Sequence, residues 1–195
     1  MVERSRGFWS FVDRSKLLMD KFYSAKAVLN QGLSRAGIEV GMFRGNHPTR
    51  VDEKGRLKLP AEFKRRVDEV YGPKFYITSM DGKRAQIYPL KEWELIETSM
   101  ARMSPMDPVR RKFLDVTNFY GQMSEMDAQG RVLIPQKLRE LAKVAGDVNV
   151  MGAQTWLDVV NAEMFDADMK KASGAVELTD SDLMAFAEKT KVVGS

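Results

Sequence analysis

The chain predicts an α+β fold built from two tandem repeats of strand, turn, strand and helix, and three observations carry that expectation. A ten-residue motif occurs twice: Val51-Asp52-Glu53-Lys54-Gly55-Arg56-Leu57-Lys58-Leu59-Pro60 returns as Met126-Asp127-Ala128-Gln129-Gly130-Arg131-Val132-Leu133-Ile134-Pro135. Asp, Gly, Arg and Pro keep one spacing, 75 residues, between the copies. An aromatic-x-Gly element precedes each: Phe43-Arg44-Gly45 and Phe119-Tyr120-Gly121. Two half-domains on one pattern imply two related surfaces rather than a single catalytic cleft.

The motif explains its own local structure. Asp followed three residues later by Gly is turn chemistry, because Asp bonds back to nearby amides and Gly supplies a positive φ. Asp52, Gly55, Asp127 and Gly130 are thus the turn-shaping residues. After the first turn, charged and apolar residues alternate, so Arg56 and Lys58 share one strand face while Leu57 and Leu59 enter the core. Pro60 and Pro135 stop each strand, having no N–H to donate, and open the helices that follow.

In chain order, strands are expected near 43–51, 56–59, 74–79 and 84–88, with helices near 60–70 and 90–101. Thr98 to Lys112, with Pro105 and Pro108, reads as a connection leading to a helix near 108–116. The second half repeats the order: strands near 119–126, 131–134, 147–151 and 155–160, and helices near 135–144 and 161–171. A short last helix is expected within 178–188, capped by Thr179 or Ser181. Pro48 interrupts the first strand and argues against regular pairing there, with His47 an ordinary loop or strand residue. Trp93 and Trp156 read as core or subunit-interface anchors, and the thirteen Met residues as adaptable core filler.

Residues 42–165 resemble the MraZ family, bacterial transcriptional regulators of the wider AbrB/SpoVT swapped-hairpin type. The resemblance rests on Met42-Phe43-Arg44-Gly45, the two Asp-x-x-Gly-Arg motifs with their downstream prolines, and Ile87-Tyr88-Pro89-Leu90-Lys91-Glu92-Trp93. It implies two interlocked βαββ-like halves in a swapped-hairpin barrel, ring-shaped homo-oligomers, and DNA binding through the motif arginines, here Arg56 and Arg131. It also implies control of the cell-division and cell-wall gene cluster through G-rich direct repeats in the protein's own promoter, with repression the expected sign. The domains expected are an extension 1–41, a first repeat 42–103, a connection 104–118, a second repeat 119–165 and a tail 166–195. Glu39-Val40-Gly41 can be encoded as a ribosome-binding sequence ahead of Met42, so translation starting at Met42 is one expectation for 1–41. A basic amphipathic helix is the other.

Charge agrees with a nucleic-acid partner. The chain carries a net +4, and residues 42–118 hold 16 Lys+Arg against 11 Asp+Glu, whereas 119–165 hold 4 against 6. Lys54 and Lys58 flank the first turn and are expected on phosphates; the arginines are expected on guanine O6 and N7. A simple turn brace between each motif Arg and its Asp is the blander reading. There is no Cys and a single His, no stretch of 18 apolar residues, no nucleophile–base pair and no phosphate-binding Gly-rich loop. These features argue against an enzyme, a cofactor, a metal centre, a small-molecule substrate and a membrane span. They favour a cytoplasmic protein, and the family resemblance implies association with the nucleoid, with double-stranded DNA and copies of itself as partners. The alternative is a swapped-hairpin protein-binding module without DNA function.

Overall fold

The computed structural model describes residues 42–171 together with 181, 183–185 and 188. The expectations for 1–41 therefore lie outside the described residues. The last helix lies outside them in part, and its described positions are helical. The first repeat comprises β1 (Asn46–Val51), β2 (Arg56–Lys58), α1 (Ala61–Arg66) running on as a π-helical turn (Val67–Tyr71), β3 (Lys74–Thr78), β4 (Ala85–Pro89) and α2 (Leu90–Ala101). A linking helix α3 (Pro108–Tyr120) leads to β5 (Gln122–Glu125), β6 (Arg131–Leu133), α4 (Gln136–Leu141), β7 (Gly146–Ala153), β8 (Trp156–Asn161) and α5 (Ala162–Lys171).

The eight strands form one sheet in the order β5-β3-β4-β8-β7-β1-β2-β6. Its outer strands approach one another, since Ser124 Oγ of β5 donates to the Leu133 carbonyl of β6 at 3.1 Å. The sheet is therefore a nearly closed barrel, and neither half contains its own complement of neighbours. β1 of the first repeat pairs with β7 of the second, and β5 of the second pairs with β3 of the first. β2 pairs with β6 and β4 with β8. This is the interlocked swapped-hairpin arrangement. The barrel interior takes the apolar residues of alternate strand positions, among them Leu57, Val132, Phe75, Ile77, Ile87, Val148, Val150 and Leu157.

A second apolar layer lies outside the barrel, under α2 and α3. Trp93 stacks on Tyr76 at 4.3 Å between centroids, Tyr88 stacks on Trp156 at 5.4 Å, and Phe113 stacks on Trp93 at 6.2 Å. Both tryptophans are buried core residues. This layer explains why every residue of β4 is buried: one face fills the barrel and the other the aromatic stack.

Three expectations are corrected. Pro48 does not interrupt β1; it lies opposite Asn149 in an unbroken ladder. β2 reaches β1 only at Val51↔Leu57, so the strand around Pro48 has an open side where a missing donor costs nothing. The strand expected near 119–126 begins only at Gln122, because α3 runs through Tyr120. Asp107 caps that helix, accepting from the Val109 and Arg110 amides at 2.8 and 3.2 Å, with Pro108 in its first turn. Gly121 ends it where the Tyr76 hydroxyl and Thr117 carbonyl leave no room for a Cβ. The two aromatic-x-Gly elements are thus not equivalent: Phe43 is buried in a bridge to Gln154, and Phe119 is exposed on the end of α3. Finally, Met is mostly not core filler among the described residues. Met100 is buried, whereas Met42, Met106, Met123, Met164, Met169 and Met184 are exposed.

Candidate nucleic-acid interface

The two motif copies meet at one place. β2 and β6 run antiparallel with Leu57 opposite Val132, Arg56 opposite Leu133 and Lys58 opposite Arg131. An approximate twofold axis passes between Leu57 and Val132, whose side chains are fully buried. Residues directly opposite share a face, so Arg56, Lys58, Arg131 and Leu133 stand together on the outward side of a two-stranded ribbon. The turns cross-link as well: the Leu59 amide donates to the Gly130 carbonyl at 2.9 Å, and the Ile134 amide to the Gly55 carbonyl at 3.0 Å.

Each arginine is held by its own Asp in the same geometry. Asp52 Oδ1 accepts from the Arg56 amide at 2.8 Å, while Oδ2 accepts from Nε and Nη2, both at 2.7 Å. Asp127 Oδ1 accepts from the Arg131 amide at 2.9 Å, and Oδ2 from Nε at 2.8 Å and Nη2 at 2.7 Å. The side-chain hydrogen bond from the arginine, helped by its backbone amide, holds each Asp carboxyl below its usual range. The turns close through Gly55 N to Asp52 O and Gly130 N to Asp127 O, with φ of 80° and 74° at the glycines. Asp52, Gly55, Asp127 and Gly130 thus lie in these two turns. The brace fixes the Nε edge of each guanidinium and leaves Nη1 with no protein partner among the described residues. A guanidinium has five donors in a planar fork, so an arginine braced on one edge still presents another. Bracing and reading are compatible, not rival, uses of the same residue.

Lys54 is exposed at the apex of the first turn and Lys58 is exposed on the ribbon face. Their counterparts in the second copy are Gln129 and Leu133. The geometry therefore brings Arg56, Lys58 and Arg131 onto one face, with Lys54 at the adjoining turn, and it makes the two halves alike in shape but unlike in charge.

Two residues escaped the sequence reading. Arg139 of α4 lies against Gly55, and Lys64 of α1 lies against Gly130, so each turn is covered by a cation from the opposite repeat. A Cβ on Gly55 would collide with the Arg139 guanidinium, and one on Gly130 with the Lys64 stem at 2.9 Å. Lys64 and Arg139 are also separated by 75 residues, so the recurrence of a cation at one helical position was the available signal. Among the described residues no cluster of His, Asp and Glu could hold a metal ion, and no helix is long and apolar enough to cross a membrane.

Comparison with known proteins agrees with the duplicated geometry. The family model of the MraZ protein, whose description also carries the term antitoxin-like, matches residues 42–116 and 121–191. A protein of Acidobacterium capsulatum named transcriptional regulator MraZ is 60% identical over 147 residues, covering 75% of this chain and 98% of that relative. Its namesake in Koribacter versatilis is 50% identical over 145 residues, covering 73% and 99%. The one in Neisseria meningitidis serogroup A is 31% identical over 146 residues, covering 74% and 94%. With both repeats matched and the paired turns built alike, the chain belongs to the MraZ family.

Proposed function

We propose that this chain is a transcriptional regulator that binds double-stranded DNA sequence-specifically through the outward face of the β2–β6 ribbon. The observation that carries the reading is the pair of Asp-braced arginines, Arg56 and Arg131, set about a local twofold axis on one ribbon with Lys58 directly opposite Arg131. A two-stranded ribbon is narrow enough to enter the major groove, where an Arg meets guanine O6 and N7. Pre-orienting the side chain lowers the entropy lost when it binds. Lys54 and Lys58 contact phosphate and fix register.

In this reading the protein works as a ring of identical subunits on G-rich direct repeats in its own promoter. It represses the division and cell-wall gene cluster and resides with the nucleoid in the cytoplasm. Repetition matters because one ribbon supplies few phosphate contacts, and linked sites raise avidity by about 10²–10⁴ when the spacing matches. The test is fluorescence anisotropy with promoter DNA at several salt concentrations. Arg56→Ala or Arg131→Ala should cost about 1–3 kcal/mol per site and relax the preference for guanine. Unchanged affinity in an intact oligomer would exclude the ribbon as the reading surface.

A further inference from the structure

The two repeats differ by three residues between their first and second helices, and a cleft lies beside the shorter link. α1 and α4 begin at Ala61 and Gln136, 75 residues apart, whereas α2 and α5 begin at Leu90 and Ala162, 72 apart. The first repeat spends the extra residues on the π-helical turn that carries Tyr71 into the core. The second repeat lacks that turn: α4 stops at Leu141, and Lys143 with φ 53° and Gly146 with φ 68° swing the chain directly into β7. Beside this shortened link lies a cleft of about 370 Å³ between α4 and the first motif turn. That volume suits a small molecule.

Most of the charged groups around the cleft already have a polar partner. Asp52 is taken by Arg56, Arg50 lies 3.8 Å from Asp147, and Glu140, which meets no cation among the described residues, accepts a hydrogen bond from the neutral Gln136 at 2.9 Å. The side chains of two charged lining residues have neither an ion-pair nor a hydrogen-bond partner among the described residues. Arg139 has no ion-pair partner among the described residues, and its Nε is buried with no hydrogen bond. Glu53, in the first motif turn, has no partner there either. A buried Nε–H without an acceptor is costly, and these opposite charges line one cleft without meeting each other. The equivalent site in the other half has neither: Ala128 replaces Glu53, and Lys64, in place of Arg139, pairs with Asp68.

We propose that this cleft binds a small zwitterion of the amino-acid type, its carboxylate on Arg139 and its ammonium on Glu53. The carboxylates around the rim oppose a polyanion such as DNA at this spot, and the two charged groups left with no partner of any kind among the described residues, Arg139 and Glu53, are opposite in sign. Glu53 lies between Asp52 and Lys54 in the turn, and Arg139 covers Gly55, so an occupant would clamp the turn that presents Arg56. The site needs nothing from the DNA reading; only its effect on DNA affinity rests on that reading.

The test follows the Arg139 Nε–H resonance in the intact protein during titration with each of the twenty L-amino acids and glycylglycine, with acetate and methylammonium as half-ligand controls. At least one zwitterion should give a saturable shift that neither half-ligand gives. Glu53→Gln should weaken it about tenfold by calorimetry with the melting temperature unchanged. The absence of a saturable shift from any zwitterion, or acetate acting as well as the zwitterions, would overturn the assignment. Adding the zwitterion to the promoter-DNA titration then reads the coupling separately.

Discussion

At the residue scale the Asp–Arg brace decides how each turn behaves. Both carboxyls are depressed below 3.8 by the paired arginine. A depressed carboxyl contributes stability that is complete above its unfolded-state pKa and is lost as pH falls through the lower folded-state value. The turns should therefore remain closed on acidification to pH 4, and carboxyl-carbon NMR of Asp52 and Asp127 should titrate below 3.8. A midpoint at or above that value would show that the brace is absent in solution. Gly55→Ala should destabilise the protein by at least about 1 kcal/mol, because Ala resists φ 80° and its methyl would displace the Arg139 guanidinium. Thermal unfolding measures it, and Arg139→Ala should recover the steric part of the loss.

The element scale separates what the sequence conveys from what it does not. The Asp-x-x-Gly turn, the Arg-Leu-Lys alternation and the stop at Pro60 are local chemistry, and each appears where the residues put it. Helix α2 likewise occupies 90–101, since Pro89 opens it and a run of good helix formers follows. Phe119 and Tyr120 look like the start of a strand because Phe43-Arg44-Gly45 leads into one; only tertiary packing under Gly121 makes them the end of a helix. The braced arginines could be inferred as candidates, but the cover of each Gly by a cation from the other repeat depends on strand pairing across 75 residues. No local pattern encodes that. Asp107→Ala should cost about 1 kcal/mol by removing the cap of α3. Leu57→Ala, emptying a fully buried site on the local axis, should cost about 2–5 kcal/mol. Chemical denaturation distinguishes the two magnitudes.

On the scale of the whole molecule, charge is distributed unequally over two similar halves. The ribbon face has Lys58 on one side of the axis and Leu133, 48% exposed, in the matching place on the other. On the proposed DNA reading, Leu133→Lys should tighten binding at low salt and steepen the plot of log affinity against log salt by about 0.9 per added phosphate contact. An unchanged slope would mean that this side of the ribbon stays away from the phosphate backbone.

The crossed bonds from Leu59 to Gly130 and from Ile134 to Gly55 have a developmental meaning for the fold. Every strand of one repeat that lacks a neighbour finds it in the other, so two identical copies of a single repeat could close the same barrel around a true dyad. Such a homodimer would be bound to perfect equality: any residue placed on one side would appear on the other. Joining the halves through α3 releases that constraint. The shared symmetry then becomes a scaffold on which the first half carries Glu53 and Lys58 and the second carries Ala128, Leu133 and the shortened link after Leu141.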